Sequence, residues 1–186
     1  MKPLKLFMLI LGCRPPGRLT EQHDIFFGIG YELQDLLPAV FEFWPEAKQK
    51  IHIDAWREVT QVNGYNVQVI SRQDVASATK TKLFFINLGG YKPGEFEEYH
   101  YKLVVAADDK ETAVKKSKET AFYKHTGFAG ATSHIDDKYG IDVDDLHEIN
   151  DILSENFKKQ YSVKLTAATV IKEDELHIGY LPLSKL

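Results

Sequence analysis

Leu6-Phe7-Met8-Leu9-Ile10-Leu11-Gly12-Cys13-Arg14-Pro15-Pro16-Gly17-Arg18-Leu19-Thr20-Glu21-Gln22-His23 returns 77 positions later as Leu83-Phe84-Phe85-Ile86-Asn87-Leu88-Gly89-Gly90-Tyr91-Lys92-Pro93-Gly94-Glu95-Phe96-Glu97-Glu98-Tyr99-His100. Eight of the eighteen pairs are identical, where unrelated segments would agree at about one. A duplicated unit is the natural reading, and it sets the fold expectation. Each copy opens on a short continuous apolar run that ends at a glycine, the pattern of a strand buried on both faces. A Pro/Gly loop follows each run.

Working outward from the first copy, Ile25 to Ile29 reads as a second strand. Leu33, Leu36, Leu37, Val40, Phe41 and Trp44 fall at helical spacing, with Pro38 in the first turn and Pro45 at the end. Ile51, Ile53 and Ala55 alternate with His52, Asp54 and Trp56 on a third strand. Asn63-Gly64 then predicts a type I′ hairpin turn that returns the chain through Tyr65, Val67 and Val69. Unit one therefore reads β-β-α-β-β.

Unit two repeats this plan, with strands over Leu83 to Leu88 and Tyr101 to Ala106. A helix capped by Asp108 or Asp109 runs from about Lys110 to His125. His134-Ile135-Asp136 is the apparent counterpart of His52-Ile53-Asp54. On the same plan Asp142 to Asp145 is a hairpin turn and Leu146 to Ile152 a strand, although local propensity also allows a helix from Val143 to Phe157. Val163 to Ile171 and Leu176 to Leu181 flank Lys172-Glu173-Asp174-Glu175 and predict a further hairpin. The expected fold class is α+β. Two tandem β-β-α-β-β repeats related by a pseudo-twofold span 1–75 and 76–158, with a C-terminal β-hairpin extension at 159–186, in one compact body.

Composition narrows the partners. The chain has 186 residues, 27% charged and 44% hydrophobic, with a net charge of −4. Lysines and acids are interspersed, so there is no one-sided basic footprint and no nucleic-acid partner is expected. One cysteine allows no intrachain disulfide and points to a reducing compartment. No apolar stretch approaches the roughly 18 residues of a bilayer span. Met1-Lys2-Pro3-Leu4-Lys5 before the first apolar run mimics a lipoprotein signal with Cys13 as acceptor. That run is shorter than the roughly 7–15 residues of a signal core, and it recurs internally as a strand. A cytoplasmic protein without a membrane partner is the expectation.

Each unit pairs a Glu-x-His with a His-Ile-Asp: Glu21/His23 with His52/Asp54, and Glu98/His100 with His134/Asp136. Residues two apart on a strand point the same way, so each pair offers two polar groups to one face. Two histidines and a carboxylate suffice for a divalent metal or for acid–base chemistry near neutral pH. The alternative is that these groups hydrogen-bond across strands and pin the Pro-Gly loop. Arg14 and Arg18 lie on that loop and can cradle an anion, against the simpler reading of a rigid turn. Cys13 beside Arg14 is either a thiolate nucleophile or small buried packing. Trp56, read on the His52/Asp54 face, is either part of a recognition patch or covered.

The string Gly12-x-x-Pro15-Pro16-Gly17-Arg18, Glu21-Gln22-His23-Asp24, Phe27-Gly28-Ile29-Gly30, Phe43-Trp44-Pro45 and His52-Ile53-Asp54-Ala55-Trp56-Arg57-Glu58-Val59 resembles a bacterial family described as domain of unknown function 1543. Its members carry the unit once or twice, which implies two tandem copies and a bacterial cytosolic setting here. The resemblance implies no activity. The reading is therefore a non-catalytic duplicated scaffold that binds a small ligand or protein partner at the crease between units. A metal-assisted hydrolase using His23, His52, Glu21 and Asp54 is the alternative, and homo-oligomerisation through an exposed strand edge a third. The sequence names no cofactor.

Overall fold

The computed structural model describes residues 2–47, 50–74, 80–91, 94–119 and 142–186. The fold is α+β, built mainly from antiparallel sheets. The chain divides into two units, Met1–Ala78 with Ile152–Leu186, and Thr79–Asp151.

In unit one, β1 (Lys5–Cys13) pairs on one side with β2 (Gln22–Gly30) and on the other with β3 (His52–Glu58). Its side chains are buried on both faces: Phe7, Leu9 and Leu11 on one, Leu6 and Met8 on the other. A 3₁₀ turn (Leu33–Leu36) leads into α1 (Leu37–Phe43), which has Pro38 in its first turn and stops before Pro45. Leu36 packs against Gly28, the register partner of Phe7, so this helical segment covers the Phe7/Leu9/Leu11 face. Asn63 and Gly64 take φ of 49° and 80°, the left-handed pair that a type I′ turn demands. They join β4 (Gln61–Val62) to β5 (Tyr65–Ser71).

In unit two, β6 (Lys82–Tyr91) takes the central place between β7 (Glu98–Ala107) and β8 (Asp142–Glu148). Phe84, Ile86, Leu88, Val105, Ala107 and Ala113 form its core, the last contributed by α2 (Lys110–Ser117). Asp109 caps that helix, accepting from the Thr112 amide at 2.7 Å, which holds its carboxyl below the usual carboxylate range.

The two three-stranded plans correspond in detail. Gly12 lies opposite His23 and Gly89 opposite His100. Both central strands meet their outer partner through a register shift at equivalent points, Ile10/Leu11 and Asn87/Leu88. Lys5–Glu58 at 2.5 Å and Lys82–Glu148 at 2.7 Å tie the same two strands at the same end.

Three expectations are corrected. The strand beside β6 is Asp142–Glu148, so Asp142 to Asp145 is no turn, and of the strand expected over Leu146 to Ile152 only Leu146 to Glu148 is extended. Val143 and Leu146 supply the apolar contacts that hold it there. Helices α3 (Ile149–Ile152) and α4 (Glu155–Gln160) follow, the second capped by the Ser154 hydroxyl. His134 and Asp136, with the strand expected around them, lie outside the described residues. The C-terminal segment is not a hairpin: β9 (Tyr161–Ala167) pairs with β5, whereas β10 (His177–Pro182) pairs with β3 in the other sheet.

The chain between β9 and β10 is pinned across this divergence. Gln61 donates to the Val170 carbonyl and accepts from Lys172 N, and Asp174 accepts from both Thr60 N and its hydroxyl. Gly12 sits inside β1, and Gly17, with φ of 81°, is the glycine of the Pro/Gly turn that follows.

Candidate metal centre

The site in unit one is built around a missing side chain. Gly12 stands on one rung of the sheet with His23 on its left and His52 on its right. Directly opposed residues share a face, so both imidazoles rise over the bare glycine. A Cβ placed on Gly12 would come under 3.0 Å from His52 Nε2 and from Asp54 Oδ2. The space it vacates is the site.

Asp54 reaches this face because of a β-bulge. Ile10 pairs with Ala55 and Leu11 with Ile53, leaving Asp54 as the extra residue. The same bulge shifts everything after it. Trp56 pairs with Leu9, on the face of Phe7, and its ring lies 6.2 Å from that of Phe7. Trp56 is therefore on the face opposite His52, which corrects the alternation read from sequence. It stacks instead on His177 of β10, with centroids 3.8 Å apart and planes within 8°.

His23, His52, Glu21 and Asp54 close a ring in which imidazole and carboxylate alternate. His52 Nε2 is 3.2 Å from Glu21 Oε1 and 3.3 Å from Asp54 Oδ1. His23 Nε2 is 3.3 Å from Asp54 Oδ2 and 3.9 Å from Glu21 Oε2. Each carboxylate thus spans both rings with its two oxygens. Asp54 Oδ2 is buried and has no hydrogen-bond donor. His52 is 10% exposed and His23 46%, so the ring has an inner side and an open side. Tyr180 of β10 lies against the His52 ring at 4.6 Å.

The four edges engage both oxygens of each carboxylate, so they form a ring in which Glu21 and Asp54 each bridge the two imidazoles.

Other singled-out residues serve elsewhere. Arg14 Nε donates to the Arg18 carbonyl at 3.2 Å, and Arg18 N to the Pro15 carbonyl, closing a type II turn with Gly17 at its third position. Cys13 is fully buried, and burial, reinforced by the Glu21 carboxylate, pushes its thiol above the ordinary value. The thiolate reading therefore fails on geometry and charge alike. Iodoacetamide at pH 7.5 is expected to leave Cys13 unmodified in the native protein and to label it rapidly in 8 M urea. Labelling at a free-thiol rate without urea would refute this burial.

Glu98 and His100 also come together, joined by Asp144; Asp136 lies outside the described residues. Sequence reading missed Asp144, Tyr180 and His177.

Among the described residues no helix is long and apolar enough to cross a membrane. No curated protein matches the chain. In fold it is similar to the crystal structure of a protein Il1583 from Idiomarina loihiensis, with a TM-score of 0.65 and 23% identity over 97% of each chain. Residues 18–69 match the model of the Domain of Unknown Function (DUF1543), a stretch that contains Glu21, His23, His52 and Asp54 and supports the resemblance to that family for this part of unit one.

Proposed function

We propose that the protein is a binding module, bacterial and cytosolic, whose ligand in unit one is a divalent transition-metal ion. His23, His52, Glu21 and Asp54 would hold it. Imidazole nitrogens mixed with carboxylates suit zinc, cobalt or nickel better than calcium or magnesium. The observation that supports this reading is the ring in which two imidazoles and two carboxylates alternate over the bare Gly12. A small-molecule or protein partner would reach the ion from the His23 side, the more exposed edge.

Calorimetric titration of chelator-treated protein with Zn²⁺ tests it. One site in unit one should bind, and His52→Ala should weaken that site on the order of 100-fold or more, beyond the 10–100-fold typical of an outer-shell change. Because the ion binds only the folded form, melting should shift upward, by about 2.7 kcal/mol in stability at a hundredfold excess over Kd. An unchanged isotherm in the variant would defeat the assignment.

The open His23 side also favours a second reading, metal-assisted hydrolysis. A bound ion there would hold a water at lowered pKa, with a carboxylate beside it. Turnover of p-nitrophenyl phosphate or acetate by the loaded protein, lost in His52→Ala, would promote that reading over simple binding.

A further inference from the structure

We infer that unit two carries a second cation site, formed by Glu98, His100 and Asp144, with a more oxygen-rich donor set than the site in unit one. One donor atom from each of the three lies within 4.8 Å of the others. The geometry copies unit one closely. His100 Nε2 is 3.3 Å from Asp144 Oδ2, as His23 is from Asp54, and 4.0 Å from Glu98 Oε2, against 3.9 Å for His23 and Glu21. Asp144 is again the extra residue of a bulge, since Asn87 pairs with Asp145 and Leu88 with Val143. Gly89 again leaves the space: a Cβ there would come under 3.0 Å from the Asp144 carboxylate.

A second observation singles out the same face. Asn87 Oδ1 is buried and has no hydrogen-bond donor. Asn87 stands two residues before Gly89 on β6 and so shares its face, where unit one has Ile10 at the equivalent position. The residue opposite Gly89 is Asp142, where the residue opposite Gly12 is His52. The cluster of unit two therefore brings one imidazole to two carboxylates, where that of unit one brings two imidazoles to two carboxylates. A smaller share of nitrogen lowers the preference for zinc relative to manganese or magnesium. The two sites divide into a nitrogen-rich and an oxygen-rich one on the same strand plan.

This inference concerns a different set of residues from the proposed unit-one site, and the test separates them. Free Mn²⁺ is followed by electron paramagnetic resonance during titration of chelator-treated full-length protein. The His52→Ala protein should still take up about one equivalent, and the His52→Ala/Asp144→Asn protein should bind it at least tenfold more weakly. His100→Gln in place of Asp144→Asn gives the same result if the first variant folds poorly by circular dichroism. No Mn²⁺ uptake in His52→Ala, or equal uptake after Asp144→Asn, overturns the second site. Loss of Zn²⁺ binding in His52→Ala with no Mn²⁺ uptake would leave the unit-one site standing alone. Retained Mn²⁺ with Zn²⁺ binding unaltered by His52→Ala would do the reverse.

Discussion

Gly12→Ala should abolish Zn²⁺ binding in unit one and lower stability by about 1–3 kcal/mol, with Gly12→Val worse. The cause is volume alone. Gly12 lies within β1 at no left-handed angle, so its backbone suits any residue. Its Cβ position, however, is occupied by the His52 ring and the Asp54 carboxylate. His52 is packed under Tyr180, and Asp54 is fixed by the bulge, so neither withdraws without moving a strand. Gly17→Ala supplies the contrast. There φ is 81° and the space is open, so the cost is the roughly 1 kcal/mol of a left-handed side chain, with metal affinity unchanged. Urea midpoints and Zn²⁺ isotherms on both variants decide the matter. A Gly12→Ala protein that melts and binds like wild type would show that the two histidines do not meet over this glycine.

Asp174→Ala is expected to cost about 3 kcal/mol, because it strips a buried cation of its counter-charge. The Asp174 side chain is 1% exposed and its Oδ2 lies 3.7 Å from Arg57 Nη1. Arg57 is itself largely buried, and that burial lowers its guanidinium below the ordinary value while Asp174 opposes the fall. Oδ1 of the same carboxylate takes both the Thr60 amide and its hydroxyl. Asp174→Asn keeps an acceptor for Thr60 and removes only the charge, so about 1–2 kcal/mol is expected there. Urea unfolding of the three proteins gives the ordering directly. Equal midpoints for wild type and Asp174→Ala would mean that solvent already neutralises Arg57.

What the sequence made legible was local. The apolar runs Leu6 to Leu11 and Leu83 to Leu88, the Asn63-Gly64 turn and the Pro38–Pro45 limits of the first helix each carry their cause within a few residues. So do Glu21 with His23 and Glu98 with His100. The errors came from longer range. A bulge at Asp54 adds one residue to a period-two pattern, and no periodicity marks where it falls, so Trp56 was assigned to the wrong face. His134-Ile135-Asp136, which repeats three letters of the third strand, lies outside the described residues. The structural counterpart at Asp142–Glu148 repeats the pairings of that strand, the ion pair to Lys82 and the carboxylate at the bulge. The strands β9 and β10 sit close in sequence and would have made a hairpin on local grounds. Each found a partner about a hundred residues away, β5 and β3, and pairings at that separation leave no local trace.

The four-stranded order β10-β3-β1-β2 bears on how the chain is made. As it leaves the ribosome, the contiguous Thr79–Asp151 stretch is available in full before residues 161–167 and 177–182 have emerged. The later-synthesised half of the plan can thus condense first, while the amino-terminal strands wait with one edge of β3 unsatisfied. Vectorial synthesis inverts the order of the text. The contact of Tyr180 with the His52 ring can form only after the last strand has emerged.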